Sequence, residues 1–198
     1  MTDGTEFVSR LLDVIENDVV PLTRGRVAAG NKVFGAAILR KVDCSVVVAE
    51  SNLETENPLW HGEVHALKSF YEIPADERPD TGDCIFLATH EPCSLCLSAI
   101  TWTGFDNFYH LFGYTDTVDI FNIRHDLRIL DEVFKVRNGA YARHNRYWKS
   151  YSIADLVDGL SEPAKITLSD RMTMLEATYR TLSDTYQGTK TRSDLPLS

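Results

Sequence analysis

The chain reads as a three-layer α/β domain around a mixed sheet. Two observations carry that expectation. Segments alternate in the order helix, two strands, helix, strand, helix, strand, and then helices. The first and last helical segments also bear apolar stripes that need a sheet face to cover. At 198 residues and 43% hydrophobic, the chain can bury one sizeable core. No repeat or composition break marks a second domain. A single domain is expected over residues 1–187, with 188–198 reading as a mobile tail.

The elements follow in order. Phe7, Leu11, Ile15 and Val19 recur four apart, predicting an amphipathic helix that Pro21 ends. Thr23 to Asn31 is polar and glycine-bearing, a loop pattern. Val33 to Leu39 and Cys44 to Val48 are apolar and β-branched. Lys41-Val42-Asp43 joins them as a hairpin. Phe34 reads as core or as a wall of a site, and Gly35 as a close-approach or packing position. Asn57-Pro58 leads into a helix near His61. Ile73 to Asp83 is a proline-bearing loop. Cys84 to Thr89 has the composition of a buried strand, and Glu91-Pro92 turns the chain into a helix at Cys93. Asn107 to Phe112 is the next strand. Leu127 to Val136 reads as a helix, and so does Ser152 to Leu160, with Ser152 as its cap. Leu168, Met172, Leu175, Tyr179, Leu182 and Tyr186 form a last helical stripe.

Charge and cysteine content narrow the function. The net charge is −9 and the pI about 5.1, the opposite of the balance that grips a phosphate backbone. Nucleic acid is therefore not the expected partner. The stretch Tyr141 to Tyr151 interleaves aromatic and basic residues, but in an acidic chain it reads as a lid or a subunit contact rather than a strand-binding groove. No apolar run is long enough to span a membrane, and the first residues lack a secretory pattern. Cys44 and Cys84 fall in strand-like segments and read as buried thiols, which fits a cytoplasmic protein.

The chemistry concentrates between Trp60 and Phe105. His61-Gly62-Glu63 is followed, after 28 residues, by Pro92-Cys93-Ser94-Leu95-Cys96. Either piece alone is weak, because C-x-x-C also marks redox pairs. Together they supply three metal ligands, His61, Cys93 and Cys96, and a carboxylate that need not bind the ion. Structural zinc usually has four protein ligands, whereas catalytic zinc has three and an open position for water. Zinc makes water available as a nucleophile at neutral pH, and Glu63 suits the proton transfers. His65, four residues after His61, reads as a packed helix residue.

This H-x-E and P-C-x-x-C pairing is the signature of the zinc nucleobase deaminases, and the chain resembles the cytidine deaminase-like superfamily over about residues 30 to 115. Glu91 to Ile100 followed by Thr101-Trp102 is most similar to bacterial guanine deaminases. The resemblance implies a central mixed five-stranded sheet, a homodimer, and zinc-dependent hydrolytic deamination of a small amino-substituted heterocycle, a purine-like base or related ring. It assigns Glu63 as the proton shuttle and Asn52 to the bound ring, with Phe34, Trp60 and Trp102 as candidate pocket walls. Guanine deaminases also carry an acidic purine-recognising residue near a Gly-Phe-Asp-Asp run. That run is absent here. An ungapped match puts Arg124 on the position, and Asp126 reaches it only after a two-residue shift. The ring is therefore open: guanine, another purine, a pterin, a triazine or a pyrimidine. The alternatives are a tRNA or RNA adenosine deaminase, a zinc-stabilised binding module without turnover, and a metal-free thiol oxidoreductase.

Overall fold

The computed structural model describes residues 4–189. A five-stranded sheet in the order β2-β1-β3-β4-β5 forms the middle layer. β1 (Gly35–Arg40) pairs antiparallel with both β2 (Val46–Ser51) and β3 (Cys84–His90). β4 (Asn107–Phe112) runs parallel to β3, and β5 (Lys149–Ser152) runs parallel to β4. The sheet is therefore mixed, as expected. β3 lies in the middle and is buried along its whole length, which is why its sequence shows no polar alternation before Thr89.

The first helix does not stop at Pro21. α1 (Gly4–Val14) passes into a π-helical turn, Ile15–Val19, and continues as α2 (Val20–Ala28). Proline lacks an N–H, and its ring clashes with the carbonyl four residues back. Here that carbonyl belongs to Asn17, inside the wide turn, and the Val20 N–H reaches back five residues to the Ile15 carbonyl. The widened turn admits the ring, so the expected loop from Thr23 is helical to Ala28. Gly30, at φ 98°, closes it in the left-handed conformation.

α1, the π turn and α2 cover one sheet face together with α7 (Ile153–Asp158) and α8 (Ala164–Thr189). Leu11, Leu12, Ile15 and Val19 pack with Ala37, Leu39, Leu87 and Leu111 there, along with Leu168, Leu175, Tyr179 and Tyr186. Arg171 on α8 ties the two helices by bonds to Asp13, Glu16 and Ser9. Ser152 caps α7 by accepting from the Asp155 N–H. The predicted tail boundary falls inside α8, which runs through Thr189; residues 190–198 lie outside the described residues.

The other face carries α3 (Gly62–Glu72) and α4 (Ser94–Trp102). Ala66, Leu67, Phe70 and Ile100 pack on Ala36, Ile38, Phe86 and Phe108. Two short helices follow β4: α5 (Tyr114–Asp119) and α6 (His125–Glu132). The end of the basic–aromatic stretch forms the sheet edge, and none of its residues lines the cavity beside the cysteines. Lys149–Ser152 is β5, Trp148 is buried, and its indole N–H donates to Thr101 Oγ1 at 2.8 Å. Glu91 gathers the neighbouring loop, accepting from the Tyr141 hydroxyl at 2.7 Å, Arg143 at 2.8 Å and the Tyr114 N–H at 3.2 Å.

Candidate metal centre and cavity

The N-termini of α3 and α4 meet over the sheet, and the site lies between them. His61 and Cys93 are the N-caps of these helices. Both have extended backbones, at φ/ψ −60°/157° and −66°/174°. A side chain on such a cap projects from the helix end instead of its flank. His61 and Glu63, two apart and divergent on a regular helix, can therefore face one point. The positive ends of both helices also aim there.

Gly62 allows α3 to come this close, while a Cβ on Gly35 would meet Val19 on the opposite face of the sheet. Gly62 lies directly on Gly35 of β1: a Cβ on Gly62 would stand 2.6 Å from the Gly35 Cα. Of the two readings of Gly35, packing is the one the structure supports. Asn52 then accepts from the Gly62 N–H, tying the start of α3 to the end of β2.

The ligand atoms fit a zinc ion. Cys93 Sγ is 3.7 Å from Cys96 Sγ and 3.5 Å from His61 Nδ1, and Cys96 Sγ is 3.8 Å from His61 Nδ1. A tetrahedral zinc with bonds of about 2.3 Å to sulfur and about 2.0 Å to nitrogen sets its ligand atoms roughly 3.5–3.8 Å apart. Among the described residues this is the one His/Cys/Asp/Glu group that could hold a metal. His61, Cys93 and Cys96 could hold zinc as a set of three protein ligands. Cys93 is held well below the usual thiol range, first by the hydrogen bond from Cys96 and then by His61, which favours the thiolate that binds metal.

Glu63 is buried, with Oε2 3.3 Å from Cys96 Sγ. Burial, reinforced by the Cys93 charge, pushes its carboxyl up to about 7. That is close to the value at which one group can both take and return a proton near neutrality. Next to it a cavity of about 290 Å³ opens, lined by Phe34, His61, Cys93, Leu59, Leu95 and Ile123, and by Lys32, Glu54 and Asp126. Burial and the charges of Cys93 and Glu63 raise Asp126 to about 8, against the opposing pull of His61 and Lys32.

The structure brings together His61, Glu63, Cys93, Cys96 and Phe34. It does not bring Trp60 or Trp102 to the cavity. Trp60 stacks on His65 at 5.7 Å, with the Lys68 ammonium over its ring. Trp102 is 89% exposed at the end of α4. Asn52 is fully buried, and its amide is already engaged, by the Gly62 N–H on one side and by Glu54 Oε2 at 2.8 Å on the other. His65 packs as expected, against Glu50, Arg26 and the Ser51 carbonyl. Arg124 is exposed, whereas Asp126 faces the cavity from the first turn of α6. Lys32 and Glu54 were missed, because neither sits in a motif. Only their meeting across 22 residues makes them visible.

Comparison with known proteins agrees with this geometry. A family model described as the cytidine and deoxycytidylate deaminase zinc-binding region matches residues 18–111. Guanine deaminase of Bacillus subtilis (strain 168) is 31% identical over 87 residues, covering 43% of this chain and 54% of that protein. The chain thus spans about half the length of the curated relative it matches. The solved structure of guanine deaminase from Bacillus subtilis is similar with a TM-score of 0.51 at 24% identity, covering 67% of this chain and 85% of that one. A mutant of NE0047 in complex with 8-azaguanine has a TM-score of 0.50 at 18% identity, covering 82% and 86%. These structural likenesses speak to the fold.

Proposed function

We propose that the chain is a member of the cytidine deaminase-like superfamily and that it hydrolytically deaminates a small amino-substituted heterocycle, a purine-like base or related ring, releasing ammonia. The observation that carries the proposal is the Glu63 carboxyl, buried against a ligand cluster whose His61 and Cys93 line a cavity of about 290 Å³. A purely structural metal site has no use for such a group.

Bound zinc supplies the Lewis acidity that makes water nucleophilic at neutral pH. The chain's own residues do the rest. Glu63 takes a proton from the attacking water as oxygen bonds to the carbon bearing the amino group. It delivers that proton to the ring nitrogen, then takes the remaining proton from the newly formed hydroxyl and gives it to the amine as the carbon–nitrogen bond breaks. Ammonia leaves and the ring carbon becomes a carbonyl. Phe34, Leu95 and Ile123 offer apolar faces for a flat ring, and the Asp126 carboxyl is placed to meet ring N–H groups. An acidic residue at this wall supports a guanine-like ring. The reaction class is hydrolysis of the C–N bond of a cyclic amidine.

The reading includes a cytoplasmic homodimer. Among the described residues no helix is long and apolar enough to cross a membrane, and the exposed Trp102 is the side chain to substitute in a sedimentation test of the dimer.

The decisive experiment is ammonia release by zinc-loaded protein across aminopurines, aminopyrimidines, pterins, aminotriazines and their nucleosides, with Glu63→Ala alongside. Turnover of one ring, lost in the variant while zinc stays bound, is the expected result. Activity that survives in Glu63→Ala refutes the mechanism.

A further inference from the structure

One wall of the cavity carries a charged pair that the deamination step does not use. Lys32 is 7% exposed and lines the cavity, and its Nζ stands 2.6 Å from Glu54 Oε1. Glu54, 3% exposed, is held through both of its oxygens. Its Oε2 accepts from Asn52 Nδ2 at 2.8 Å and from the Lys32 N–H at 3.3 Å. Its Oε1 also faces His61 Nε2 at 3.7 Å. The ammonium therefore stands one carboxylate away from a metal ligand. Burying a lysine and a glutamate is costly, and an apolar pair of the same size would hold the fold as well or better. A pair retained in a ligand-sized cavity points to a ligand.

The chemistry of that ligand group follows from the charges around it. An ammonium carries three N–H donors, and the ion pair accounts for one. With Glu54 neutralising the charge, the wall offers donors without net positive charge. A donor group on the ring would meet a cation there. An anionic group would gain little from a neutralised pair and would face the Glu54 carboxylate beside it. A neutral acceptor is what remains. On a flat amino-substituted ring that group is an oxo substituent.

Building on the deaminase reading, we propose that Lys32 is a specificity-determining residue whose ammonium donates to an oxo group of the bound ring. The site then selects amino-oxo heterocycles over amino heterocycles that lack the oxygen. Glu54 fixes the ammonium in place and keeps the pair neutral.

The test uses two ring pairs that differ in the oxo group and the ring N–H that comes with it: guanine against 2-aminopurine, and cytosine against 4-aminopyrimidine. Binding is measured by equilibrium dialysis on zinc-loaded Glu63→Gln protein, so that turnover does not intervene, while ammonia release is followed on the wild type. The Glu63→Gln protein is expected to bind the oxo member of at least one pair roughly 10- to 100-fold more tightly, the worth of a charge-assisted hydrogen bond. Adding Lys32→Met should collapse that ratio toward one. Lys32→Met also strands a buried carboxylate, so Lys32→Met/Glu54→Gln is made beside it to keep the fold. A ratio unchanged in either folded variant overturns the assignment. So does a starting protein that does not prefer the oxo ring, whatever the variants do. Failure to bind any ring overturns the assignment together with the deaminase reading. Ring binding with the expected ratio but no ammonia from the wild type overturns deamination alone and leaves the Lys32 assignment supported.

Discussion

The contact between Gly62 and Gly35 makes the site depend on the missing methyl group of Gly62, and Gly62→Ala measures that dependence. A Cβ at residue 62 would lie 2.6 Å from Gly35 Cα, 2.9 Å from its N and 3.0 Å from its carbonyl carbon. All three are backbone atoms of β1, which pairs with a strand on either side, so no rotamer change can relieve the overlap. Relief needs α3 to lift from the sheet. Its first turn carries His61 and Glu63, and the Asn52 bond to the Gly62 N–H would stretch with it. Overpacking of this kind costs about 1–3 kcal/mol, which for a chain of this size is a fall in Tm of roughly 2–12 °C. The chemistry should suffer more than the fold, because a displacement of about 1 Å at reacting groups can cost roughly 100-fold in rate. Urea denaturation, zinc content and ammonia release on one preparation separate the effects. A Gly62→Ala protein with wild-type stability, zinc and rate would refute the argument that this contact sets the position of the site.

Three further outcomes follow from particular side chains. Glu63→Gln should bind zinc as the wild type does, since Glu63 is not among the ligand atoms, and should lose roughly 100- to 10,000-fold in kcat; metal analysis with single-turnover kinetics checks both. Asp126→Asn should lower kcat/KM for the preferred ring roughly 10- to 100-fold while zinc content stays constant, and an unchanged value would remove Asp126 from the ring's contacts. Burial holds His90 down at about 3 in the fold, against about 6.5 in an unfolded chain. Between those values the unfolded state binds the extra proton, so stability falls as pH drops, by at most about 1.4 kcal/mol per unit. His110 is also held below its usual value by burial and adds to the slope, and acid loosens the zinc ligands as well. The readout is therefore the difference between wild type and His90→Leu in urea midpoint from pH 7 to pH 5, with the shallower dependence expected in the variant.

The fold was largely legible where periodicity and burial agree. β3 and β4 emerged at nearly their full lengths, because a central strand buried on both faces needs an unbroken apolar run. The α8 stripe and the Ser152 cap were also readable, each from a local rule. Pro21 misled because its usual effect assumes a regular helix, and a π turn suspends that assumption. β5 was hidden because its four residues, Lys149–Ser152, form an edge strand with mixed burial, too short and too polar to show a strand pattern.

The site divides along the same physical line. Its metal-binding half is encoded by short spacings: His61 with Glu63, and Cys93 with Cys96, each at the start of one helix. Such spacings survive any rearrangement of the rest of the chain, so the sequence displays them. The cavity wall is assembled from Lys32 before β1, Glu54 after β2 and Asp126 on α6, residues with no spacing in common. Trp60 and Trp102 were plausible walls because they flank the motifs, yet flanking in sequence placed one on His65 and the other in solvent. The asymmetry has a consequence for relatives of this chain. The ion needs three fixed atoms, and only a few helix-end geometries supply them. A ring can be gripped by donors and acceptors from any loop that reaches the cavity. Relatives should therefore share the metal-binding half while differing at the positions of Lys32, Glu54 and Asp126, and those three positions are where a change of substrate ring would be engineered.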